Sequence, residues 1–338
     1  MAKAMESPMS QVQFKEMRLQ EALREALRYE MARDERVFVM GEDVALFGGA
    51  YGVTRGLLQE FGEERVRDTP ISEAAIVGLA IGAAINDMRP VVELQFCDLL
   101  PLCMDQLTTH AARYHYQTGG RISVPMVVRN KFGTRPGGGP SHSSCNHGAF
   151  IPFPGLKIIV PTTPADAKGL LLAAIRDPNP VLSFESHHLY GVKGPVPEGD
   201  YTVPIGKAAV RREGKDLTIV TCGGMVLKAD QAASELKEKG IDAEIIDLRS
   251  LAPLDKETIL KSVAKTKRAM VVDEGWIIGG VCSEIAAIIQ ENLFSDLKGP
   301  VIRVGAYPLP APHSPPLVEA MIPSVDRIVS AALSLVNR

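Results

Sequence analysis

Apolar positions recur along this chain with two periods, and the switches between them mark its elements. Over residues 15 to 33 (KEMRLQEALREALRYEMAR), Met17, Leu19, Ala22, Leu23, Ala26, Leu27 and Met31 fall at helical spacing. The run VFVMGEDV that follows reads as a short strand. Glu42 and Asp43 stand at its carboxyl end, where open parallel sheets hold their ligands.

Residues 68 to 96 (DTPISEAAIVGLAIGAAINDMRPVVELQF) form the central unit. It reads as a turn, a helix opened by Ser72 as N-cap, a break at Arg89 and Pro90, and a strand from Val91 to Phe96. The helix is built from small and apolar residues between Ala74 and Ala84, so it is expected to be buried nearly all round. Glu73 is the one charge near its start. A carboxylate in the first turn suits the positive end of the helix dipole. Among apolar neighbours it must also find a donor or take up a proton, and a carboxyl held there is placed to hydrogen-bond a ring nitrogen of a bound heterocycle.

After a partly helical stretch ending at Gly119 and Gly120, VPMVVRN is a continuous apolar run of the kind covered on both faces. It opens into the glycine-rich loop KFGTRPGGGPSHSSCNHGAF. The strand GLKIIVP leads to a helix with Thr163 as N-cap, Pro164 at the first position and Asp166 reaching back. The strand VLSFE completes this half. A proline- and glycine-rich stretch without period is the linker candidate, and beyond it strands and helices alternate again from LTIVTC to VCSEIAAIIQENLF. The fold class is therefore α/β, with two doubly wound domains. The expected division is a larger domain over 1–190, a linker over 191–206 and a smaller domain over 207–338.

At 338 residues, 46% hydrophobic and 23% charged, the composition is that of an ordinary globular chain. A net charge of -3 leaves no electrostatic footprint for nucleic acid or an anionic membrane. The five cysteines are scattered and never spaced CxxC, which argues against a disulfide framework and for a reducing compartment. The N-terminus has neither a signal nor a transit pattern, so a cytoplasmic location is expected.

His142, Cys145 and His147 share one loop and are metal-ligand types, but structural zinc is usually held by two separated pairs, and no second pair is evident. A hydrolase is weaker still, because no GxSxG elbow occurs. GGAYG at 48 to 52 does not make a dinucleotide fingerprint. His142 remains a candidate proton donor or acceptor.

Six segments in order carry a family resemblance: GEDV at 41, ERVRDTPISEA at 64, PVVELQF at 90, GPSHSS at 139, PGLKIIVPTTPADAKGLLLAAIRDPNPV at 154 and IDLRSLAPLD at 246. Together the chain resembles the β subunits of thiamine-diphosphate-dependent 2-oxo acid dehydrogenases, of the pyruvate and acetoin type. The resemblance implies a transketolase-like pyrimidine-binding domain followed by a transketolase-like C-terminal domain. It also implies an α2β2 heterotetramer that decarboxylates a 2-oxo acid or cleaves acetoin, then passes the acyl group to the lipoyl arm of a dihydrolipoyl acyltransferase core. The α chain would supply the magnesium and diphosphate ligands through a GDG…NN motif, which this sequence lacks. By position, Glu73 matches the glutamate that bonds the pyrimidine nitrogen, and Glu42, Ile71 and Gln95 match residues lining that pocket. His142 matches a histidine near the reacting carbon. Met126, Ala174, Ile175, Asp177 and Asn179 match a potassium site.

Leu99 stands where relatives place an aromatic residue and Pro152 where many have a second histidine, and SSCNHGAFIP differs from the common SQSLEAWFAH. These departures leave pyruvate against acetoin open. A transketolase-like carbon–carbon transfer subunit and a noncatalytic docking scaffold are the alternative readings.

Overall fold

The computed structural model describes residues 13–337. Residues 1–12, most of the segment read for a targeting signal, lie outside them. The first half runs β1 (Phe14–Arg18), α1 (Leu19–Arg33), β2 (Val37–Gly41), α2 (Leu57–Phe61), β3 (Val66–Asp68), α3 (Glu73–Ile85), β4 (Arg89–Leu94), α4 (Tyr114–Gln117), β5 (Val127–Phe132), β6 (Lys157–Ile159), α5 (Pro164–Arg176), β7 (Val181–Ser186) and β8 (Lys193–Pro197). The second runs β9 (Ala209–Arg212), β10 (Leu217–Thr221), α6 (Met225–Glu238), β11 (Ala243–Asp247), β12 (Ser250–Ala252), α7 (Lys256–Thr266), β13 (Ala269–Trp276), α8 (Val281–Leu293), β14 (Ile302–Ala306), α9 (Pro315–Met321) and α10 (Val325–Val336).

One sheet has the order β12-β6-β7-β5-β4-β2-β3 and the other β14-β13-β10-β11-β9. Strands are parallel throughout both except at one edge of each, where β12 and β9 run antiparallel. β12 comes from the second half yet closes the first sheet beside β6, so the two halves share a sheet edge. One core cluster also crosses between them, joining Ile76, Leu94 and Phe184 to Val220, Ile246 and Val281. On the opposite face of the first sheet, α1 packs on α5 through Leu23, Leu27, Leu171 and Ile175.

Local chemistry accounts for the helix starts. Thr163 Oγ1 accepts the Asp166 amide at 3.0 Å and its hydroxyl donates to the Asp166 carboxylate at 2.6 Å, with Pro164 at the first turn, as expected of this cap. Ser72 does hold the N-cap position of α3, but its hydroxyl donates to Pro70 O instead of capping the helix.

Three local expectations are corrected. Residues 15–18 are not helical: they lie in β1, which pairs antiparallel with β8 inside the proline-rich stretch. Within the same stretch Val203 and Tyr201 continue along α5 by bonding Gly169 O and Ala165 O. The strand after α3 begins at Arg89, because Pro90 sits near its start, where the missing N–H costs least. Within the partly helical stretch, residues 97–103 wind as 3-10 turns through Pro101 and residues 106–111 as a π turn. Finally, α3 buries only Ile76, Val77, Ala80, Ile81 and Ala84, while Leu79 is 64% exposed and nothing lies near Gly78 or Gly82.

Candidate active site

Parallel strands β7, β5, β4 and β2 lie side by side, so the residues just past their carboxyl ends form a row along one sheet edge. Glu42 follows β2, Gln95 and Phe96 follow β4, Lys131 is the last residue but one of β5 and His187 follows β7. Glu73 opens α3 after β3. Glu42, Glu73 and Gln95 are half-buried, whereas Ile71 is 73% exposed.

The row is acidic at one end. Burial raises the Glu42 carboxyl above its usual range, and the charges of Asp43 and Glu73 raise it further. Glu73 also bears on buried Cys103, whose thiol is pushed up to about 12 chiefly by burial and then by that carboxylate. An acidic pair of this kind favours a ligand that brings donors. Asp43 adopts φ 58, a left-handed conformation uncommon outside glycine, and its carbonyl accepts Gly49 N at 2.8 Å. Asp68 fixes the same loop by accepting the amides of Ala45 at 2.6 Å and Leu46 at 3.3 Å.

The other end is basic and aromatic. The exposed His142 ring stands edge-on to Phe96 at 4.8 Å, with Ser141 Oγ 3.1 Å from its Nδ1. Lys131 is 3% exposed, and among the described residues its ammonium has no hydrogen-bond partner. It lies 3.2 Å from the Tyr51 ring centre and 4.6 Å from that of Phe96. Burial, followed by the charge of Arg135, brings it down to about 7. His187 is lowered to about 4, by burial first and then by Lys131.

Beneath the row lies a charge cluster that the apolar reading of these strands missed. Arg129 on β5 is 1% exposed and bonds Glu93 on β4 at 2.7 Å and Glu185 on β7 at 2.7 and 2.8 Å. Tyr190 donates to Glu185 at 2.7 Å. Burial raises Glu93 despite its guanidinium partner. The signal was one charge inside each of three apolar runs, Glu93 in PVVELQF, Arg129 in VPMVVRN and Glu185 in VLSFE, with the positive one in the middle of the sheet order. The glycine loop rests on this cluster: Gly49 has φ 78, and a side chain there would meet Glu93 Oε1 at 2.9 Å.

The residues matched to a potassium site are drawn together at the end of α5. Met126 O accepts Val181 N, Ala174 O accepts Asp177 N, and Asn179 bonds the Asp177 carboxylate from both backbone and side chain. Two protein cations already serve this group: Arg89 Nη1 donates to Ile175 O at 2.7 Å and Asp177 O at 3.4 Å, and Lys157 pairs with the Asp177 carboxylate.

His142, Cys145 and His147 do not converge as a metal cluster among the described residues; His147 turns instead to Asp273 of the second half. All five cysteines are free and buried. Among the described residues no helix is long and apolar enough to cross a membrane. Leu99 is half-buried and Pro152 exposed.

Comparison with known proteins agrees with this architecture. Residues 15–193 match the transketolase pyrimidine-binding domain and residues 206–328 the transketolase C-terminal domain. The chain is 43% identical to the acetoin:2,6-dichlorophenolindophenol oxidoreductase subunit beta of Bacillus subtilis (strain 168), over 94% of this chain and 97% of that one. Identity is 44% to the 2-oxoisovalerate dehydrogenase subunit beta of the same organism, covering 93% and 97%. It is also 44% to the mitochondrial pyruvate dehydrogenase E1 component subunit beta-1 of Arabidopsis thaliana, covering 94% and 89%. A split-gene transketolase, solved as an inactive beta4 tetramer, shares the fold at TM-score 0.79 and 23% identity, covering 94% of this chain and 98% of that one. With the two transketolase domains in order and relatives matched nearly end to end, the chain belongs to the β-subunit family of pyruvate, acetoin and branched-chain 2-oxo acid dehydrogenases, the oxidoreductase components of those complexes.

Proposed function

We propose that this chain holds the aminopyrimidine end of thiamine diphosphate between Glu73, Glu42, Ile71 and Gln95, and that an α subunit supplies the diphosphate and magnesium ligands in an α2β2 heterotetramer. The observation that carries this reading is the acidic pair at the sheet edge, where the raised Glu42 beside Glu73 matches a ligand rich in ring and amino nitrogens. When bound, the cofactor supplies an acidic thiazolium carbon together with an aminopyrimidine able to remove its proton. Glu73 would hold the pyrimidine ring nitrogen and share a proton there, so that the amino group of the bound cofactor would serve as the base. His142, exposed beside Phe96, moves a proton at the substrate and at the incoming lipoyl group of a dihydrolipoyl acyltransferase. The open flank of α3, with Leu79 outward, together with exposed Ile71, Leu46 and Phe47, supports a partner chain seated on this face. The five free cysteines support a reducing, cytoplasmic setting.

Mixing the chain with its α partner, thiamine diphosphate and magnesium, and following lipoyl-domain acylation with pyruvate, branched 2-oxo acids and acetoin, is the test. Turnover is expected only when both chains are present, and calorimetry on this chain alone should find no cofactor binding at micromolar strength. Tight binding by the single chain would overturn the division of ligands between subunits. Turnover with a sugar phosphate alone would favour transketolase-like transfer, and failure to turn over any substrate in a fully assembled tetramer would favour a scaffold.

The cluster at Met126, Ala174, Ile175, Asp177 and Asn179 is proposed to take potassium alongside Arg89. Exchanging potassium for tetramethylammonium should then lower the melting temperature, because a ligand of the folded state is withdrawn. Identical melting curves in the two salts would remove the ion from the account.

A further inference from the structure

A second constellation lies away from the sheet edge, where the halves meet. Cys222 follows β10, Asp273 lies on the adjacent parallel strand β13, and His147 comes across from the first half's glycine-rich loop. Their exposures are 3%, 2% and 0%. His147 Nε2 is 3.1 Å from both Asp273 carboxylate oxygens, Cys222 Sγ is 4.0 Å from Oδ1, and the three ligand atoms all lie within 4.8 Å of one another. The geometry points to a buried transition-metal site, of the zinc class, formed by His147, Cys222 and Asp273.

Size, charge and access support it. Bonds of about 2.0 to 2.3 Å to a tetrahedral zinc ion place neighbouring ligand atoms roughly 3.3 to 3.7 Å apart, so shifts of up to about 1 Å would close the site. A thiolate, a carboxylate and a neutral imidazole balance a divalent cation to zero net charge, which a buried site requires. The sulfur and nitrogen donors select zinc over magnesium or calcium. A cavity of about 120 Å³ reaches Asp273 between Cys145, Asn146, Gly148 and Gly275, leaving room for a water as fourth ligand and a way in. Glycine at 275 keeps that passage open, since a side chain would stand 2.8 Å from Asp273 Oδ2. Phe132 and Phe184 hold the imidazole from the other side, their ring centres 5.1 and 5.9 Å away.

Burial pushes the Cys222 thiol up, and the charge of Asp273 adds to it, so the sulfur keeps its proton until a cation takes its place. Asp273 raises the His147 ring against the lowering effect of burial. Binding would release the thiol proton, and the imidazole proton where one is present, to solvent. The ion would fix the loop that carries His142 five residues earlier to the second half, a stabilising role separate from the reaction.

The full-length chain, stripped with chelator and titrated with zinc against a chromophoric competitor, is expected to bind about one ion per chain at submicromolar strength. Cobalt substituted for zinc should give a thiolate-to-metal charge-transfer band in the unmutated chain. Cys222→Ala and His147→Ala should each lose the ion, while Cys145→Ser should keep it. Absence of the cobalt band in the unmutated chain would overturn the site even where the variants fail to fold, as would zinc binding that survives Cys222→Ala.

Discussion

Glu73→Gln is expected to fold and assemble with its partner yet turn over about a hundredfold more slowly or worse, the usual loss when general acid–base catalysis is removed. The amide keeps the size and the hydrogen-bonding outline of the carboxyl. It cannot share a proton with a ring nitrogen, so the base on the neighbouring amino group is no longer generated. A helix-dipole role alone would give a different result. The substitution would then cost a few tenths of a kcal/mol to about 1 kcal/mol of stability and leave turnover intact. Because Glu73 is half-buried, its substitution by glutamine should leave the melting temperature within that small range. Turnover and melting measured on the same preparation separate the two roles.

Arg129→Ala should have the largest effect on stability, a loss of about 3–5 kcal/mol, because it leaves Glu93 and Glu185 buried without their shared cation. Part of this loss is set by pH. Burial already holds the Glu93 carboxyl above its usual range, and without Arg129 it would rise further. A group whose folded pKa is raised favours folding below its unfolded value and loses that contribution as pH climbs through the folded one. The deficit of the variant should therefore be greatest at neutral pH and shrink toward pH 5. Urea unfolding at both pH values checks this, and a loss below about 1 kcal/mol at neutral pH would show that the cluster is not holding the three strands together.

Much of this architecture is legible from local pattern alone. The Thr163–Pro164–Asp166 start of α5, the buried stripe of α1 and the alternation of strands and helices all depend on neighbours within a few residues, and the structure follows them. Glu73 is likewise visible as the one charge at the head of an apolar helix. Other features depend on partners far along the chain. β1 looks helical from its own spacing, because only pairing with β8 nearly 180 residues later makes it a strand. β12 joins a sheet built by the other half. Arg129, Lys131 and His147 are ordinary in their own segments. Their meaning comes from Glu93 and Glu185, from Tyr51 and Phe96, and from Asp273, which the fold brings to them. The open side of α3 shows a different limit: its sequence indicates burial, and a single chain supplies burial for only one flank.

The central claim is that Glu73 of this chain sets the proton on the pyrimidine, and hydrogen–deuterium exchange at the thiazolium carbon of the reconstituted tetramer reads it without requiring a substrate. Fast exchange in the unmutated enzyme and exchange slowed by about a hundredfold or more in Glu73→Gln, with cofactor still bound, is the expected result. Exchange at the unmutated rate in the Gln variant would contradict it.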